Sequence, residues 1–225
     1  MKHAVWTTTL LVSCLMAPAE GDKARPRATP PASLSRLNAP VTEAMAAFQR
    51  SYEEEAAQHW DRALEALDAL PSPQKAGYLA ELRRGWLLYQ AGRHADAVGA
   101  YGRAATLEKS SIEARVGALA PLLALRRWAD VESGCRDVLQ RDPANYLAGV
   151  RLAFAVFSVG RFAEAEELYR KTMLYYPSDA DIRAGLAWSL LKLGKRNDAR
   201  KAFLEALESA PRSQLALDGL KLLDG

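Results

Sequence analysis

The stretch Leu186-Ala187-Trp188-Ser189-Leu190-Leu191-Lys192-Leu193-Gly194-Lys195-Arg196-Asn197-Asp198-Ala199-Arg200-Lys201-Ala202-Phe203-Leu204-Glu205-Ala206 decides the fold of this chain. Leu186, Leu190 and Leu193 recur at intervals of four and three. Ala199, Phe203 and Ala206 repeat that spacing after a break. Each set forms the apolar stripe of an amphipathic helix, and Gly194 lies between them, where a residue without a β-carbon can take the left-handed backbone that ends a helix. The stretch predicts two helices joined by a short turn.

The pattern returns every 34 residues. Gly92, Arg126, Gly160 and Gly194 form one column, and Ala97, Val131, Ala165 and Ala199 a second. Tyr101, Cys135, Tyr169 and Phe203 form a third, with Ala104, Val138, Thr172 and Ala206 beside it and Lys109, Pro143, Pro177 and Pro211 closing each copy. A proline or lysine there marks the boundary before the next helix. The small residue at 97, 165 and 199 lets paired helices approach, and the aromatic four residues on fills the space alongside. A bulky residue at Ala165 or Ala199 should overpack that contact and cost about 1–3 kcal/mol.

A 34-residue period carrying small, aromatic, small and proline columns resembles the tetratricopeptide repeat. Gly85 with Leu88, Leu152-Ala153 with Val156, and Leu186-Ala187 with Leu190 match its front half. The family's tryptophan column departs, holding Glu81, Arg115, Gly149 and Arg183. The third copy departs most, with Ala118-Leu119, Arg126 and the mid-helix Pro121. The resemblance implies an all-α, right-handed solenoid of helical hairpins. Residues 41–212 then hold five repeats, the first degenerate and marked by Trp60, Ala63 and Leu67, and 213–225 hold a capping helix with Leu215, Leu217, Leu220, Leu222 and Leu223.

Residues 1–19 read as an export signal: Lys2 precedes an uncharged run from Ala4 to Ala19, too short to span a bilayer as a helix. Two processing sites compete. Leu11-Val12-Ser13-Cys14 resembles a bacterial lipobox, which makes Cys14 the lipidated residue and a membrane anchor; Ala17-Pro18-Ala19 suits a secretory peptidase and a soluble periplasmic product. The lipobox is the favoured reading. Leu15, in place of the aspartate that retains similar lipoproteins at the inner membrane, points to the outer membrane facing the periplasm. Residues 20–40, with Pro26, Pro30, Pro31 and Pro40, read as a disordered tether.

Composition excludes much. Thirty Lys and Arg against 27 Asp and Glu leave +3 spread along the chain, which argues against nucleic acid as a partner. Two cysteines and three histidines are too few for a disulfide framework or a structural zinc cluster, and no phosphate loop or nucleophile elbow occurs. His59 and His94 fall in turns, Cys135 in an aromatic core column, and Glu53-Glu54-Glu55 on a solvated helix face. No catalytic residue, metal, cofactor or small-molecule substrate is expected. A glycan-binding accessory would need a polar pocket that the sequence does not show.

What the fold offers is an inner face built from the first helix of each pair. The helical period projects Leu79, Leu82, Arg83, Trp86 and Tyr89 onto it, then Val116, Ala120 and Leu123. Leu147, Val150, Arg151, Phe154 and Phe157 follow, and then Ala184, Trp188, Leu191 and Lys192. Trp86, Ala120, Phe154 and Trp188 share a column and predict a ladder of rings along the groove, unless those rings pack against the neighbouring repeat. A lining this apolar disfavours the clamp for acidic tails found on similar modules and suits an apolar or amphipathic segment, with Arg83, Arg151 and Lys192 orienting it. The expected function is a non-enzymatic adaptor that binds a segment of another envelope protein. It resembles repeat lipoproteins that assist secretin and pilus, motility or barrel assembly. The alternative is a periplasmic regulator of a cell-wall enzyme acting through the convex surface.

Overall fold

The computed structural model of the chain describes residues 42–224. The expected export signal, the tether and Cys14 lie outside those residues. Eleven α-helices and no strand occur among the described residues: α1 (Glu43–Ala56), α2 (Trp60–Asp68), α3 (Tyr78–Gln90), α4 (His94–Leu107), α5 (Ile112–Ala124), α6 (Trp128–Arg141), α7 (Tyr146–Ser158), α8 (Phe162–Met173), α9 (Ala180–Lys192), α10 (Arg196–Ser209) and α11 (Gln214–Asp224). One 3₁₀ turn, Gln74–Ala76, precedes α3. The all-α expectation holds. The described residues form two compact units, 42–126 with α1 to α5 and 127–224 with α6 to α11.

The 34-residue period reappears as backbone geometry. Gly92, Gly160 and Gly194 take φ of 75°, 85° and 77°, and the column is continued by Gln58 at 60° and Arg126 at 54°. After each of the three glycines the next amide closes back five residues, as in Arg161 N to the Val156 carbonyl, which is the Schellman ending that satisfies orphan carbonyls. A second column caps the opposite ends: Ser111, Asn145 and Asp179 each accept from the amide three residues on through a side-chain oxygen. Thr42 does the same for α1. Pro121 does not interrupt α5, which runs unbroken from Ile112 to Ala124 with the proline buried.

Each core is built by the columns read from the sequence. Ala97, Tyr101 and Ala104 are buried in the first unit; Val131, Cys135, Val138, Ala165, Tyr169, Ala199, Phe203 and Ala206 are buried in the second. The aromatic of each set meets a glycine sixteen residues later. A β-carbon at Gly117 would lie 2.4 Å from the Tyr101 ring, one at Gly185 2.4 Å from Tyr169, and one at Gly219 2.1 Å from Phe203. The ring therefore rests on bare helix backbone, which sets how closely the next helix approaches.

Candidate partner-binding surface

In unit 42–126 the inner face is organised around Arg83. Its Nε donates to Ser51 Oγ at 2.8 Å, its Nη1 pairs with Glu55 Oε2 at 2.9 Å, and its guanidinium carbon lies 3.4 Å from the centroid of the Tyr52 ring. Trp86 Nε1 donates to the other Glu55 oxygen at 2.6 Å. Glu55 is thus a structural ion-pair partner linking α1 to α3, a correction to the solvated acidic face expected for Glu53-Glu54-Glu55. The Trp86 and Tyr89 rings stand 6.4 Å apart, and Tyr89 meets His94 at 5.4 Å. Tyr52 and Leu79 are exposed, while Leu82, Trp86, Tyr89 and Val116 are half-buried and Leu123 is buried. This face presents rings and leucines to solvent.

The corresponding face of unit 127–224 does not. Phe154 and Trp188 are 1% and 4% exposed, and Val150 and Phe157 are buried with them. Three edge-on ring contacts cover them: Trp128 on Phe154 at 5.9 Å, Phe162 on Phe157 at 5.2 Å, and Phe203 on Trp188 at 5.6 Å. Trp188 also donates its indole N–H to the Leu215 carbonyl at 3.0 Å, fastening α9 to α11. The open ladder expected from Trp86, Phe154 and Trp188 is therefore corrected: of those three rings, only Trp86 is even half accessible. The physical reason is the aromatic that begins the second helix of a pair, Trp128 or Phe162, together with the terminal helix. Leu147, Arg151 and Leu191 remain half-buried and Lys192 exposed, without a ring among them.

A separate cleft of about 260 Å³ opens between α6, α7 and α8. Leu139, Leu152 and Leu168 form its apolar wall, and Gly149, Lys171 and Tyr175 also line it. Among the described residues no group of three His, Cys, Asp or Glu side chains could hold a metal. Cys135 is buried, and burial pushes its thiol up to about 12, so it stays protonated at neutral pH.

A family model described as tetratricopeptide repeat matches residues 157–221. The fold is shared by solved structures: the MamA protein (TM-score 0.69, 18% identity, 76% of this chain and 93% of that one) and MamA from Desulfovibrio magneticus RS-1, residue 41 to the end (TM-score 0.70, 17% identity, 76% and 97%). A third is YrrB, described as a TPR protein with an unusual peptide-binding site (TM-score 0.67, 15% identity, 79% and 92%). The described residues fold as tetratricopeptide repeats.

A curated relative, Protein CTR9 homolog of Arabidopsis thaliana, is 30% identical over 125 residues, which is 55% of this chain and 12% of that protein. The chain therefore spans about an eighth of that relative.

Two features of these tetratricopeptide repeats escaped the sequence reading. Tyr52 on α1 belongs to the degenerate first repeat, whose inner residues the projection, beginning at Leu79, did not reach. The second feature is the pairing of each core aromatic with a glycine sixteen residues on. Its signal was present in the sequence as Tyr101/Gly117, Tyr169/Gly185 and Phe203/Gly219.

Proposed function

We propose that this tetratricopeptide-repeat chain is a non-enzymatic adaptor of the bacterial cell envelope that holds an apolar or amphipathic segment of another envelope protein. The observation that carries the reading is the half-open cluster of Tyr52, Trp86 and Tyr89 with Leu79 and Leu82 on the inner face of unit 42–126. Exposed rings clustered on a repeat scaffold mark contact surfaces, because they bury large apolar area at low entropic cost. YrrB, similar in fold and known as a TPR protein with an unusual peptide-binding site, supports a peptide as the occupant. The N-terminal pattern, Lys2, the uncharged run and Leu11-Val12-Ser13-Cys14, supports export and an outer-membrane lipid anchor at Cys14.

Site-specific photo-crosslinking in cells tests the reading. Probes at Leu79, Leu82 and Tyr89 should capture one envelope protein, and Tyr89→Ala should weaken its capture by about 2 kcal/mol, near thirtyfold, with helical content unchanged. Crosslinks only from the outward positions of α4 would overturn it. Radiolabelled palmitate should enter the wild type and not Cys14→Ser; an unlabelled wild type would make the protein a soluble periplasmic one.

A further inference from the structure

The column that holds a tryptophan in similar repeats carries Glu81, Arg115, Gly149 and Arg183 here, and twenty-two residues after each stand Arg103, Asp137, Lys171 and Glu205. Three of the four couples have opposite charge. Two of them are seen as ion pairs within a unit: Arg103 Nη2 lies 2.8 Å from Glu81 Oε2, and Arg183 Nε 3.9 Å from Glu205 Oε2. In the remaining couple Lys171 is exposed and makes no ion pair among the described residues, because its counterpart is Gly149. The cleft of about 260 Å³ lies at that gap, and both Gly149 and Lys171 line it.

The chain cannot close the gap itself. A β-carbon on Gly149 would come within 2.9 Å of Thr172 Oγ1 and Cγ2, where the next repeat has the smaller Ala206. No acidic side chain lines the cleft, and of its two cations Arg136 is already paired with Glu132 and Glu164, so the ammonium of Lys171 is the charge left for an incoming carboxylate. Leu139, Leu152 and Leu168 supply an apolar wall in the same cleft as the ammonium, and Tyr175, also in the lining, is 48% exposed.

We propose that this cleft receives, from a partner polypeptide, a glutamate followed by an apolar residue: the carboxylate completes the missing pair with Lys171, and the neighbouring side chain packs on Leu139, Leu152 and Leu168. The site is distinct from the inner face of unit 42–126 and does not depend on the adaptor reading built there. Its volume fits one or two side chains and falls short of a pocket for a drug-sized molecule.

The test uses the whole folded chain and a labelled Gly-Ser peptide with a central Glu-Leu, beside Gln-Leu, Lys-Leu and Glu-Ser versions and N-acetylglutamate. Two-dimensional NMR reports where each binds, and fluorescence anisotropy how tightly. The Glu-Leu peptide should shift the Gly149 and Lys171 amides, and Gln-Leu should bind roughly tenfold more weakly, the effect of losing one charged hydrogen-bonded contact. K171E, at an exposed position that does not threaten folding, should reverse the preference toward Lys-Leu. The G149E/T172A variant, which supplies the carboxylate from within, should lose Glu-Leu binding by tenfold or more. Equal binding of Glu-Leu and Gln-Leu overturns the proposal, as do shifts confined to α1 and α3, or N-acetylglutamate binding as tightly as the peptide.

Discussion

Gly185 has no side chain, yet its position decides how α9 lies on α8. An added methyl would sit 2.4 Å from the Tyr169 ring carbons, and that ring is fully enclosed and cannot swing away. Gly185→Ala gains about 1 kcal/mol of helix propensity. The overpacking it causes costs about 1–3 kcal/mol, so the clash wins and urea unfolding should show net destabilisation. Gly102 is the control: it lies in α4 with nothing within 4 Å of its would-be β-carbon, so Gly102→Ala should stabilise by up to about 1 kcal/mol. Arg126 carries the opposite strain, a β-carbon at φ 54° in a column where Gly92, Gly160 and Gly194 sit. Arg126→Gly removes that strain and should raise stability by about 0.5–1 kcal/mol despite the freer unfolded chain; an unchanged urea midpoint would show that the turn bears no strain at that residue.

Between elements, size is matched across sixteen residues. Where the third column has a ring the following helix has glycine, and where it has Cys135 the following helix has Arg151, close enough to act on the thiol's charge. Cys135→Tyr alone should therefore overpack α6 against α7 by about 1–3 kcal/mol. Adding Arg151→Gly restores the arrangement seen at Tyr169/Gly185, so the double variant should recover most of the loss. A coupling energy above about 0.5 kcal/mol in a double-mutant cycle is the expected result, and additive losses would mean that the ring has another seat. This coupling explains what was legible in the sequence. The columns gave helix pairs, turns and core because each column is fixed by its own local geometry: φ at Gly160, burial at Ala165, the stop at Pro177. Exposure on the inner face was not legible, since Phe154 and Trp188 are covered by Trp128, Phe203 and the Leu215 carbonyl, on other helices. The cleft at Lys171 escaped for the same reason. Its Gly149 looked like a poor match to a family column rather than the missing half of an ion pair.

For the molecule as a whole, the acid limit of stability follows from carboxylates that tie successive repeats together. Glu132 on α6 is held below the usual carboxylate range first by Arg136 in its own helix and then by Arg161 at the start of α8. Glu166 on α8 is lowered chiefly by Lys195, just before α10, with Arg170 adding to it. A carboxyl whose folded-state pKa is depressed contributes stability that is fully present above its unfolded value, near 4.3. That contribution is lost as the pH falls through the lower folded value. The melting temperature should therefore be flat near neutrality and drop below about pH 4.3, with the steepest loss at still lower pH. Glu132→Gln and Glu166→Gln remove the charge at every pH, so each should lower stability at pH 7 by about 1 kcal/mol or less, the usual worth of partly exposed pairs. In a chain of this size that is about 2–4 °C. The same variants should be less sensitive to acid than the wild type. Circular dichroism melts at pH 7, 5, 4 and 3 check both halves of the expectation. A wild-type profile that falls no faster in acid than that of the doubly substituted chain would mean these bridges between repeats add nothing to folding.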